Sequence, residues 1–186
     1  MSNQIETDII VDYGVRDRRS VALRIFLVIP IAIFASAFTT GLIVLPVVLS
    51  LVFRGSYPSY VLSFNKSLLA LSTRISAYAF LLTDSYPSIE ENEVVKVTFP
   101  EIAGGAKLNR YLSLVKWFLA LPLYLVGFIY TVYALTILPF AWFTILLTGK
   151  LPEWCGTVLL GTTKFWNRVY GYAIVLVTDE YPSFSL

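Results

Sequence analysis

Histidine is absent from this sequence, and cysteine and methionine each occur once, as Cys155 and Met1. A lone cysteine cannot build a disulfide framework. Structural zinc and haem iron draw their ligands mainly from Cys, His and Met, so no metal site and no cofactor is expected. Charge is scarce too. Asp, Glu, Lys and Arg make up 14% of the chain, against about 25% in average globular proteins, while apolar residues reach 57%. So little charge cannot cover a water-exposed surface. No Gly-rich phosphate loop, zinc spacing or nucleophile elbow is present. An enzyme is therefore not expected, and neither is a nucleic-acid partner.

What is there instead is long apolar runs. Ile25 to Phe53 and Trp117 to Thr148 contain no charged side chain. About 20 apolar residues span a bilayer, so both runs are long enough, and the class predicted is an integral membrane protein. The first twenty residues are polar and mixed in charge, with no apolar h-region. The first run is expected to act as its own insertion signal.

The chain also repeats itself. TDSYPS at 83–88 returns as TDEYPS at 178–183. Laid half on half, Arg18 falls on Arg110, Arg24 on Lys116, Pro30 on Pro122 and Pro46 on Pro139. Gly55 falls on Gly149, Pro58 on Pro152, Arg74 on Arg168, and Tyr78 on Tyr172. Apolar runs align with one another cheaply, but matched Arg, Asp, Gly and Pro in one order do not. A tandem repeat is expected, with units 1–91 and 92–186. Each unit opens on a polar stretch of period-two alternation (5–13 and 92–99), which predicts a short strand. A basic segment, a long apolar run and a weaker apolar segment follow. Membrane segments are expected at about 21–53, 60–83, 112–148 and 154–178. The fold class predicted is all-α. Each unit would be a long transmembrane helix, kinked at Pro46 or Pro139, plus a second membrane helix. A re-entrant hairpin near Gly41 is the alternative. The weaker segments carry Lys66 and Arg74, or Lys164 and Arg168, so they either lie in the interface or hide their charges within the bundle. If each unit crosses twice, both strands and both TDxYPS turns share one face. The excess of Lys and Arg there places both termini in the cytoplasm of a multi-pass protein of the cell membrane.

Arg74 and Tyr78 share a helical face at i, i+4, as do Lys164, Arg168 and Tyr172. One reading is a polar lining between the units that binds an anionic lipid or passes an ion. The other is structural: an Arg held by backbone carbonyls, or by Asp84 or Asp179. In the helix-end turns, Thr83 and Asp84, or Thr178 and Asp179, end a helix. Tyr86 and Tyr181 are read as interfacial anchors, and Pro87 and Pro182 as the turn. The basic groups around Arg18 and Arg110 are read as topology signals that also attract anionic lipids.

The stretch from Gly55 to Pro87 carries a recognisable pattern: Gly55, Tyr57 and Pro58, then Phe64-Asn65, then Arg74, Ala77 and Tyr78, then Leu81-Leu82-Thr83-Asp84, Tyr86 and Pro87. It resembles the prokaryotic membrane family filed as domain of unknown function 4389, counted as two tandem copies. The second copy departs from it at Leu151 and at Val158-Leu159. The resemblance implies a membrane protein and brings no activity. Two functions follow as expectations. The first is a small non-catalytic subunit that packs in or beside a larger membrane complex, its partners being membrane lipids and other membrane proteins or copies of itself. The alternative is an autonomous transporter, channel or anionic-lipid-binding protein that uses the cleft between the repeats.

Overall fold

A computed structural model describes residues 3–38, 44–90 and 93–186. The architecture is mostly helical. In chain order it comprises β1 (Glu6–Ile9), α1 (Arg18–Phe38), α2 (Val44–Arg54), α3 (Ser59–Ala79), β2 (Val95–Thr98), α4 (Leu112–Leu119), α5 (Leu121–Thr148) and α6 (Glu153–Ala173). Both strands fall within the alternating stretches. They pair antiparallel, Glu6 opposite Thr98 and Ile9 opposite Val95, so the molecule is not purely helical.

Among the described residues two helices are long and apolar enough to cross a membrane, Arg18–Ala37 within α1 and all of α5. The weaker segments form α3 and α6, which are not among them. The position near Gly41 and the start of the 92–99 stretch lie outside the described residues.

Proline places the break in the second long run, though not where the sequence reading set it. Pro139 sits inside α5, which runs on past it, and Pro30 sits inside α1. The second run is divided instead between Leu119 and Leu121, with Pro122 in the first turn of α5. Pro46 likewise lies in the first turn of α2. A proline there loses nothing, because a first-turn N–H has no helical partner anyway. At the other end of α5, Gly149 is left-handed (φ 77°) and its N–H donates to the Ile145 carbonyl at 2.7 Å. This is the cap that glycine permits.

The elements lie side by side in layers. α5 runs antiparallel to α6. Ala120 and Leu123 pack with Tyr172 and Ala173, Trp166 Nε1 donates to Thr131 Oγ1 at 2.9 Å, and Ile145 packs with Leu151 and Cys155. On the other side of α6 runs β1. Ile5 meets Gly171, Thr7 meets Asn167, and Tyr13 meets Gly156. Those three contacts follow one face of α6, and the α5 contacts follow another. α3 lies beside α6 and contacts β2 in the same way. The order is therefore ribbon, then α3 and α6, then the apolar helices. Within that last layer α1 starts against the end of α5, where Trp142 Nε1 donates to the Val21 carbonyl at 2.9 Å. α2 contacts α4 at the opposite end.

Candidate functional site

Two similar constellations occupy opposite ends of the molecule. In the first, the Arg24 guanidinium lies 4.4 Å over the Tyr78 ring. It donates to the carbonyls of Tyr78 (3.2 Å) and Thr83 (3.1 Å) and pairs with Asp84. Arg16 joins the same carboxylate at 2.7 Å and donates to the carbonyls of Leu81 and Leu82. In the second, Lys116 Nζ sits 5.3 Å from the Tyr172 ring centroid. It donates to the Thr178 carbonyl at 2.7 Å and pairs with Asp179, also at 2.7 Å. Asp179 in turn accepts the Asn109 N–H at 2.6 Å.

The local cause is the same in both. A helix ends with carbonyls that have no intrahelical donor and with the negative end of its dipole. α3 and α6 end in a turn whose Leu81 and Leu176 are both left-handed at φ 61°. A non-glycine residue stays there only when its surroundings hold it, and both leucines are buried. The turn aims successive carbonyls at one point, and a buried cation meets them. Thr83 and Thr178 accept the N–H of Ser85 and Glu180, at 3.1 and 3.0 Å. Tyr86 stacks edge-on against Tyr78, and Tyr181 against Tyr172. Burial pushes the Asp84 carboxyl up, but hydrogen bonds from Arg16 and Arg24, and their charges, outweigh it and hold it below the ordinary value.

The two turns thus lie at opposite ends of the α5–α6 pair, not on one face as two crossings per unit would require. Asp84 and Asp179 do not pair with Arg74 and Arg168. Sequence reading missed the roles of Arg16, Arg24 and Lys116, which it took as topology signals. The signal was present, because Arg24 and Lys116 keep the same order relative to Asp84 and Asp179.

Arg74 and Arg168 bind carbonyls instead. Arg74 Nη1 donates to Ser88 at 2.8 Å and Ile89 at 3.2 Å, and Arg168 Nη2 donates to Ser185. Each holds the segment after its own TDxYPS turn back along its own helix. Arg74, Tyr78, Lys164, Arg168 and Tyr172 are therefore not assembled into one lining. What joins α3 to α6 is Asn167, whose Nδ2 donates to Thr7 Oγ1 (2.9 Å) and Thr73 Oγ1 (3.0 Å), all buried. Lys164 and Arg168 do line a cavity of about 410 Å³ with Gln4, Glu6, Thr7 and Ser183. Elsewhere, Tyr57 donates to the Val175 carbonyl at 2.8 Å. Its burial pushes the hydroxyl up to about 12, against a smaller opposing effect of Asn65, so it remains a donor. Among the described residues no group of His, Cys, Asp and Glu could hold a metal ion.

Residues 18–89 match the model of a family described as domain of unknown function (DUF4389). The first half of the chain is thus similar to that family, as its Gly-x-Tyr-Pro and Thr-Asp-x-Tyr-Pro residues indicated. No curated protein and no solved structure matches the chain.

Proposed function

We propose that the chain is a non-catalytic membrane protein of two similar units, acting as a small subunit that packs in or beside a larger membrane complex. The observation that carries this reading is where the charge goes. The buried cations Arg16, Arg24 and Lys116 are bonded to carbonyls and carboxylates in the turns that end α3 and α6, and Arg74 to carbonyls of the segment that follows the first turn. They brace the turns and do not converge on a cleft. The outer helices meanwhile expose Phe26, Ile33, Phe53, Phe118, Phe128 and Leu147, a surface suited to lipid or to other membrane proteins.

The recurrence of left-handed Leu81 and Leu176, and of the cation, tyrosine and aspartate around each, supports descent of the two halves from one unit. Asn3 and Gln4 bond to Glu180 and Tyr181, which supports both ends of the chain lying on one side of the membrane. The bias of Lys and Arg makes that side the cytoplasm.

Native mass spectrometry of the protein drawn from its own membranes in mild detergent tests the subunit reading. Larger partners at fixed stoichiometry are expected, and a solitary chain under these conditions overturns it. The second reading, anionic-lipid binding, is favoured by the cavity with Lys164 and Arg168 on its wall. A homo-oligomer carrying one retained anionic lipid, lost in Lys164→Ala while the oligomer persists, would replace the first reading with the second.

A further inference from the structure

The order of the layers restricts how a bilayer can meet this molecule. α6 is bonded about two thirds of the way along, through Asn167, to Thr7 of β1. The residues on either side of Thr7 are Glu6 and Asp8, both exposed, and Lys96 stands exposed opposite Asp8. The segment from Ile5 to Tyr13, which contains β1, runs beside α6 from the contact of Ile5 with Gly171 to that of Tyr13 with Gly156. α5 runs beside α6 from Leu123 to Ile145. A bilayer crossed by α5 or α6 would hold Glu6, Asp8 and Lys96 inside the hydrocarbon core. A charge held there is costly, by about 2.5–3.5 kcal/mol at the centre on insertion scales. Length argues the same way. α5 has 28 residues, about 42 Å at 1.5 Å per residue, whereas the hydrocarbon core is about 30 Å thick.

Turning the molecule through a right angle removes both conflicts. With the helix axes in the membrane plane, the ribbon with Glu6, Asp8 and Lys96 faces water. The α3–α6 layer, with its Asn167–Thr7–Thr73 cluster, sits beneath it. The outermost layer, α1, α2, α4 and α5, then meets lipid along its whole length. Exposed side chains there include Ile25, Phe26, Ile33, Leu45, Phe118, Leu125, Phe128, Leu135 and Phe143. On α5 the buried residues Leu123, Gly127, Ala134, Ile137, Ala141 and Ile145 form one narrow stripe toward the protein. Half-buried residues such as Tyr124, Leu138 and Trp142 flank that stripe, and the remaining face of the helix is exposed and mostly apolar. At the ends of the layer the exposed Arg19, Arg54 and Lys150 have stems long enough to bring their charges to head-group depth. We propose that the chain lies flat in a single leaflet, with the outer faces of α1, α2, α4 and α5 among the acyl chains and no element crossing the bilayer. This rests on the membrane reading above and replaces multi-pass insertion with a monotopic one.

Single cysteines in a Cys155→Ala background test it, placed at Asp8 on the ribbon and at Lys107 and Lys150, beyond opposite ends of the α4–α5 run. All three positions are exposed. In sealed vesicles a membrane-impermeant maleimide should label the three together, either before the vesicles are opened or only afterwards. Labelling of Lys107→Cys and Lys150→Cys from opposite sides overturns the proposal. As a second measurement, fluorophores at Leu121, Phe128 and Phe143 should be quenched by brominated lipid at one common depth. A maximum depth at Phe128 overturns it as well. Release of the protein into the soluble fraction by alkaline carbonate, with no quenching at any position, overturns the membrane reading itself and the flat arrangement with it.

Discussion

Asp84 is the residue on which one end of the molecule depends. Its carboxylate is shared by Arg16 and Arg24, whose side chains are 0% and 3% exposed. Removing one partner of a buried pair leaves an uncompensated charge, at a cost of about 3–5 kcal/mol. Asp84→Ala should lose that much stability in detergent, measured by thermal or denaturant unfolding. Asp179→Ala should lose less, since among the described residues Asp179 forms an ion pair with Lys116 alone. The pH dependence has a definite sign. The folded carboxyl titrates below its ordinary value of 3.8. Its stabilisation is therefore complete above that value and is lost as pH falls through the lower, folded one. Asp84→Asn should be less stable than the parent at neutral pH and should flatten the parent's acid-side loss in melting temperature. Thr-Asp-x-Tyr-Pro was legible in sequence as a turn that ends a helix. Which cation answers the aspartate was not, because Arg16 and Arg24 are far from Asp84 along the chain and only packing brings them to it.

Contacts between elements depend on the small residues of α6. A Cβ at Gly171 would stand 2.5 Å from Ile5 Cδ1, and one at Gly156 would stand 2.6 Å from the Tyr13 hydroxyl. These glycines let the segment that contains β1 lie close along the helix. Gly171→Val overfills that contact and should cost about 1–3 kcal/mol. Hydrogen exchange should show protection lost first over Glu6–Ile9, with α5 unaffected. The elements themselves were readable. Alternating Val and Ile marked the strands, and Pro58 and Pro152 stand immediately before α3 and α6, at their extended N-caps. The break in the second long run was misplaced, because a proline inside a helix and one in its first turn look alike until the helix's start is known. The expected strands were also longer than the observed ones, since the pairing in the ribbon, not the alternation, sets where a strand stops.

At the scale of the whole molecule, Asn167 joins α6, β1 and α3 through two hydroxyls. Asn167→Ala leaves Thr7 and Thr73 short of a buried partner, which costs about 1–3 kcal/mol. Unfolding followed separately by probes on the ribbon and on α3 should move to lower temperature together. A shift confined to one of them would show that the two do not share this joint. The sequence by itself determined the apolar character, the helices and the chemistry of the turns. These depend on side chains near one another along the chain: prolines in first turns, glycine at a left-handed cap, long stretches without charge. Only the tertiary structure decided that both aspartates are bound by cations from other elements. It also decided that the two turns lie at opposite ends, and that a charged ribbon lies against α6. Those facts depend on which faces pack together, and an apolar helix with little charge to mark its faces does not specify its neighbour until the whole chain has folded around it.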